Sequence, residues 1–272
     1  MAVSSTRTMS VFVFMLAAAV LGVSPGANAA APSGKQSAIS HAAWNSLLRT
    51  HVKPARDGIN RVDYVSWKAR GVAPLKSYIS SLEKTDPASL SREGQMAFWI
   101  NLYNAKTVEI VLERYPVASI KDIDLKDAAG QPADGPWKAK VTTVAGKRLS
   151  LDEIENEILR PVYKDARVHY ALNCLSLGCP NLLPEAYTAA RLERQLEGTA
   201  RVFVNHPRGI SFAGGKVQAS SIYDWFASDF GGFDGVVAHL RKYARPALGK
   251  QLAGLKKIDA YDYDWKLNDV KR

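Results

Sequence analysis

The chain reads as an α+β protein, a single mainly helical domain carrying short β-hairpins. Apolar residues recur at helical spacing in several separate segments. Two runs rich in Val, Thr and Ile fold back at glycine-bearing turns, as hairpins do. No internal repeat and no low-complexity tract interrupts this pattern. Of the 272 residues, about 240 remain after an N-terminal leader, enough to enclose one sizeable core.

The leader is residues 1–29. Arg7 supplies a positive start, residues 11–23 are almost wholly apolar, and Ala27-Asn28-Ala29 offers a small-x-small cleavage site. That order is the pattern of a secretory signal peptide. The apolar run is shorter than the ~18 residues of a membrane span, and no later segment approaches that length. The mature protein is therefore expected in a periplasm or secreted, with no transmembrane segment after signal cleavage. The formal net charge, +10 for the full chain and +9 once Arg7 is removed (10 − 1), is scattered rather than gathered in a basic run. Such a surface suits an anionic envelope and does not point to nucleic acid.

Residues 30–55 comprise a small, polar stretch and then a helix over 41–50, with Trp44, Leu47 and Leu48 on one face. The domain proper is expected over 56–270. Residues 57–65 read as a turn entering a short extended segment. Pro74, at a first turn, opens a helix that runs to Glu83. The clearest helix follows Ser91 and stops before Pro116. Met96, Ile100, Tyr103, Thr107 and Val111 form one stripe on it, and Ala97, Asn101, Asn104 and Val108 an adjacent one. Asn101 and Asn104 thus fall on a partly buried face, where each amide needs hydrogen-bond partners. Loop backbone can supply them, or an amide can orient a catalytic group.

Residues 138–149 form a hairpin turning at Ala145-Gly146-Lys147. Ser150 and Glu153 make a capping box for a helix ending near Arg160-Pro161. Ile154, Ile158 and Leu159 face inward there, with Glu155 beside them. Residues 189–204 form an amphipathic helix, and 209–221 a second hairpin turning at Gly214-Gly215. Two helices over 222–230 and 233–243 are split by Gly231-Gly232, and residues 257–268 contain a closing strand.

Both cysteines and one of the five histidines fall within residues 168–180. A cysteine attacks as its thiolate, which requires a nearby base or positive field. His169 stands five residues before Cys174 and can meet it if the chain bends. Glu155, Asn101 and Asn104 are the candidates to orient the imidazole. Two other readings use the same residues. An oxidising compartment favours a structural Cys174–Cys179 disulfide. A metal site of His169, Cys174 and Cys179 has spacings that fit no common zinc motif. The remaining histidines, His41, His51, His206 and His239, read as ordinary satisfied side chains. No phosphate loop, dinucleotide glycine run, His-Glu-x-x-His or Gly-x-Ser-x-Gly occurs, and no cofactor is expected.

Ala97-Phe98-Trp99-Ile100-Asn101-Leu102-Tyr103-Asn104-Ala105 resembles one signature of the domain of unknown function 547 family. Leu151-Asp152-Glu153-Ile154-Glu155 with Ile158-Leu159-Arg160 resembles a second. His169-Tyr170-Ala171-Leu172-Asn173-Cys174 with Gly178-Cys179-Pro180 resembles a third, the most specific. Tyr263-Asp264-Trp265-Lys266-Leu267-Asn268 is similar to a common ending. The resemblance spans roughly residues 60–268 and implies a shared site built from His169, Cys174, Cys179, Asn101, Asn104 and Glu155. It implies no established reaction. One departure is Asn156, where many members carry histidine; an amide can orient a partner but cannot carry protons near neutral pH.

A cysteine, a histidine and an amide or carboxylate on an α+β scaffold are similar in type to papain-like and transglutaminase-like enzymes, with His169 and Cys174 in the reverse chain order. The expected function is a thiol-dependent hydrolase or acyltransferase, with Cys174 as nucleophile and His169 as base, acting on a small-molecule or peptide substrate. The alternatives are a non-catalytic envelope module with a structural disulfide, or a dithiol–disulfide redox protein, against which the lack of Cys-x-x-Cys counts.

Overall fold

A computed structural model of the chain describes residues 39–127, 129–132 and 135–271. The expected signal peptide, residues 1–29, lies outside the described residues, as does most of the polar stretch after it. Helix α1 (Ala42–His51) buries Trp44, Leu47, Leu48 and His51. Strands β1 (Val52–Lys53) and β2 (Arg61–Val62) then pair antiparallel. The extended segment expected up to residue 65 ends sooner. The Asp63 carboxylate accepts from Ser66 N–H and starts helix α2 (Tyr64–Arg70).

Helix α3 (Val72–Glu83) follows, and then the long α4 (Arg92–Arg114). The latter starts where Ser91 Oγ accepts from Gly94 N–H at 3.1 Å. Its middle is buried on every face, Met96 through Val108 without a gap. It is therefore the spine of the core rather than a surface helix with one apolar stripe.

Strands β3 (Thr142–Val144) and β4 (Lys147–Leu149) form the expected hairpin. The capping box forms in full: Glu153 N–H donates to Ser150 Oγ, and Ser150 N–H to Glu153 Oε2. The helix it opens is not uniform. Helix α5 (Leu151–Glu153) passes into a π-helical turn over Ile154–Leu159 and then into α6 (Arg160–Tyr163). Such a turn admits an extra residue and re-aims the side chains it carries. Ile154 and Leu159 still face the core.

A 3₁₀ turn over Ala166–Tyr170 leads into the cysteine segment, and helix α7 (Leu192–Val204) follows it. Strands β5 (Ile210–Ala213) and β6 (Lys216–Ser220) form the second hairpin, and β7 (Ala260–Asp262) joins β6 in parallel. The helix expected over 222–230 breaks at Phe226 into α8 (Ile222–Trp225) and α9 (Ala227–Phe230). Helices α10 (Gly232–Tyr243) and α11 (Pro246–Leu252) complete the elements. The architecture is α+β, mainly helical with small sheets. Two apolar clusters hold it: one centres on α4, the other on Phe203, Tyr223, Phe230 and Leu240. Tyr170 belongs to the second cluster, while Leu172 and Leu175 belong to the first. The cysteine segment therefore crosses from one to the other. Among the described residues, no helix is long and apolar enough to cross a membrane.

Candidate active site

The cysteine loop is shaped by amides. Asn104 Nδ2 donates to Ala171 O at 2.9 Å, and its Oδ1 accepts from Asn173 N–H at 2.9 Å. Asn173 then closes the loop itself: Oδ1 accepts from Leu175 N–H at 2.8 Å, and Nδ2 donates to Pro180 O. Between them Leu175 is held at φ 62°, the left-handed region. A leucine there carries a strain of roughly 1–2 kcal/mol. Its fully buried side chain and the Asn268 N–H bond to its carbonyl offset that strain. Asn101 does similar work elsewhere, pairing with both backbone groups of Tyr187 at 2.8 and 3.0 Å.

The C-terminal segment runs alongside the loop. Leu177 N–H donates to Lys266 O and Gly178 N–H to Asp264 O, both at 2.8 Å. Only glycine permits this approach, because a Cβ on residue 178 would stand 2.8 Å from Asp264 N and 3.0 Å from the Tyr263 ring. The packing brings the Tyr263 hydroxyl to 3.0 Å from Cys174 Sγ, while Ser176 Oγ lies at 3.1 Å from the same sulfur.

Both thiols are free. The expected Cys174–Cys179 disulfide is not formed. Cys174 Sγ faces Ser176 and Tyr263, whereas Cys179 Sγ accepts from Cys174 N–H at 3.1 Å and lies 3.8 Å from Leu172 O. Burial pushes the Cys174 thiol up, but hydrogen bonds from Cys179, Ser176 and Tyr263 outweigh burial and bring its pKa down to about 7. Burial and the neighbouring Cys174 push Cys179 well above the ordinary thiol range. The pair is thereby split into one ionisable thiol and one inert one.

His169 is 1% exposed in its side chain. Its Nε2 pairs with Asp229 Oδ2 at 2.8 Å. Asp229 is gripped in turn by Arg160, with contacts of 2.5 and 2.9 Å. Arg160 also donates to Asn156 Oδ1 at 2.5 Å, and Asn156 Nδ2 to Asp152 Oδ1 at 2.8 Å. Burial works against the imidazolium, but Asp229 and then Glu155 more than compensate, so the His169 pKa is raised. The Asp229 carboxyl is held far below its usual range, chiefly by His169. The break at Phe226 lets that ring stack on the imidazole at 4.0 Å, and Arg160 lies over the same ring at 4.8 Å. Nδ1 stands 3.7 Å from Glu155 Oε1, beyond hydrogen-bond reach, and is a buried nitrogen without a partner.

A cleft of about 330 Å³ gathers these groups. His169, Cys174, Glu155 and Asn156 line it, together with Trp225 and Trp265. Of the residues expected from sequence, Cys174, Cys179, His169 and Glu155 meet in this cleft. Asn101 and Asn104 lie behind it, bonded to loop backbone. No hydrogen bond joins His169 to Cys174; the imidazole nitrogens face Asp229 and Glu155, and the thiol faces Tyr263 and Ser176. Two principal partners, Asp229 and Tyr263, escape sequence reasoning because they come from 60 and 89 residues away along the chain. Tyr263 had a signal in the motif it shares with Trp265; Asp229 had none. Among the described residues, no group of three or more His, Cys, Asp or Glu is placed to hold a metal ion. The other histidines lie away from the cleft, as in the stacking of His51 on Trp67.

The fold and cleft define an α+β domain with a buried thiol and a carboxylate-held imidazole. Residues 87–204 match the family model described as "Protein of unknown function, DUF547", which supports membership of that family. No curated protein and no solved structure matches the chain, and the papain-like or transglutaminase-like outline rests on residue types alone. The matched segment holds Asn104, Glu155, His169 and both cysteines, while Asp229, Tyr263 and the cleft tryptophans Trp225 and Trp265 lie beyond it.

Proposed function

We propose that this chain is an exported enzyme of acyl transfer, hydrolysing or exchanging an amide, ester or thioester through Cys174. The observation that supports this reading most is the lowered pKa of a thiol that opens onto the same cleft as a carboxylate-held imidazole. In the reaction, the Cys174 thiolate forms a bond to the substrate's carbonyl carbon, and the π electrons move to oxygen. Collapse of that adduct breaks the bond to the leaving group, which takes a proton from the His169 imidazolium. Nδ1 is the nitrogen free to give it, since Nε2 is held by Asp229. Water or a second nucleophile then attacks the thioester, returns a proton to His169 and frees the thiolate. His169 here serves as proton donor and acceptor to substrate rather than as the base that ionises Cys174. Hydrogen bonds from Cys179, Ser176 and Tyr263 favour the thiolate in its place.

Export rests on the leader, with Arg7, the apolar run 11–23 and Ala27-Asn28-Ala29. The scattered basic surface fits work beside an anionic envelope. The test is acylation by p-nitrophenyl acetate followed by intact mass and peptide mapping. One acetyl group on Cys174, lost in Cys174→Ser and retained in Cys179→Ser, is expected. Acetylation of Cys179 in preference, or of neither thiol, would overturn the proposal.

A further inference from the structure

Part of the cleft lining is a run of rings in mutual contact. Trp137 lies 5.7 Å from Trp265, Trp265 lies 5.7 Å from Trp225, and Tyr263 lies 4.7 Å from Trp265. Trp225 is 46% exposed in this part of the lining. A half-exposed indole forgoes apolar burial, and one backed by partly buried rings marks a contact surface for a ligand. Another part of the lining offers a different chemistry. Asp152, Glu155 and Asn156, all projected from or beside the π turn, present carboxylate and amide groups to the same space.

The charges present do not select an ion. Lys121 Nζ already lies 5.4 Å over the Trp265 ring, where an incoming ammonium would otherwise sit. Asp152 and Glu155 oppose an incoming anion. What the cleft favours is a neutral molecule with one broad apolar face and an edge of hydroxyl or amide groups. A flat aromatic ligand would satisfy the rings and leave the polar groups unused. An apolar side chain would do the same. A pyranose ring carries C–H groups on its face and hydroxyls at its rim, and it suits both chemistries at once.

We propose that the cleft binds a saccharide ring against Trp225 and Trp265, and that the acyl group presented to Cys174 is one carried by that sugar. The acyl chemistry rests on the function proposed above; the binding does not. The volume of about 330 Å³ falls within the range of small-ligand sites.

Intrinsic tryptophan fluorescence of the purified protein, titrated with N,N′-diacetylchitobiose, tests this directly. An N-acetylated dialanine serves as the sugar-free control. The expected result is a saturable change with the disaccharide and none with the dipeptide at equal concentration. Trp225→Ala should weaken the disaccharide at least tenfold, with the far-ultraviolet circular dichroism unchanged, and Trp225→Phe should recover part of the loss. Cys174→Ser should bind like the parent, so that a failure of the thiol chemistry is read separately, by the acylation experiment. No saturable response to the sugar, an equal response to the dipeptide, or undiminished affinity in both Trp225→Ala and Trp265→Ala would overturn the saccharide assignment.

Discussion

Cys174 and Cys179 sit five residues apart, buried in one loop, yet they differ in what faces them. Hydroxyls point at the first sulfur, and a backbone N–H and a carbonyl lie beside the second. A charged sulfur is stabilised by S–H and O–H donors, here Cys179, Ser176 and Tyr263, so removing one should raise the Cys174 pKa part of the way back. A thiol at 9.0 holds roughly 1% thiolate at pH 7, against roughly half for one at 7. Iodoacetamide should therefore alkylate Cys174 of the native protein with a midpoint near pH 7, and Tyr263→Phe should move that midpoint toward 9.0. Equal midpoints in parent and variant would remove Tyr263 from its role. The sign of the stability effect follows. Because the folded thiol has the lower pKa, its contribution is fully present above 9.0 and is lost as pH falls through about 7. His169 acts oppositely. Its folded pKa is raised, so its contribution is present below 6.5 and is lost as pH rises through the folded value.

At the scale of elements, the devices that hold the site are the loop clamps, the glycine contact and the π turn. Asn104→Ala would strand the Ala171 carbonyl and the Asn173 N–H in the interior. At about 1–3 kcal/mol for each buried orphan, urea unfolding should show a loss of roughly 2–5 kcal/mol. Gly178→Ala acts on the site more than on the fold. Its new methyl group must displace the Tyr263 ring or the Asp264 backbone, so the Cys174 alkylation midpoint should rise even where the protein remains folded. A midpoint unchanged in folded Gly178→Ala would show that the contact is slack. The local grammar of these elements was readable from residues alone. Ser91 and Ser150 cap where side-chain chemistry says they should, and both glycine-bearing hairpins form. The π turn was not readable, because Ile154, Ile158 and Leu159 satisfy an α-helical spacing almost as well. Helix α2 was missed for a related reason: Tyr64 and Val65 favour strand, and one cap at Asp63 overrides that preference.

At the scale of the molecule, the family-matched segment 87–204 is only part of a folding unit. The apolar cluster around α4 draws Trp44, Val62, Tyr64 and Trp67 from before it and Leu267 from after it. A chain cut to residues 87–204 should therefore lack a cooperative melting transition and bind 1-anilinonaphthalene-8-sulfonate, while residues 39–271 should melt cooperatively. Sharp melting of the shorter chain would show that the flanks are dispensable. The same distribution explains which site residues sequence reasoning reached. Glu155, His169 and Cys174 lie close along the chain, whereas Asp229 and Tyr263 arrive by tertiary packing that no spacing encodes. The separation of Tyr263 from Cys174 has a consequence in time. They are 89 residues apart, so at ordinary elongation speeds of 5–20 residues per second the ribosome makes the sulfur roughly 5–20 s before the hydroxyl that helps to ionise it. Throughout that interval the nascent chain carries an ordinary, mostly protonated thiol. The full lowering of the thiol's pKa therefore waits on completion of the polypeptide.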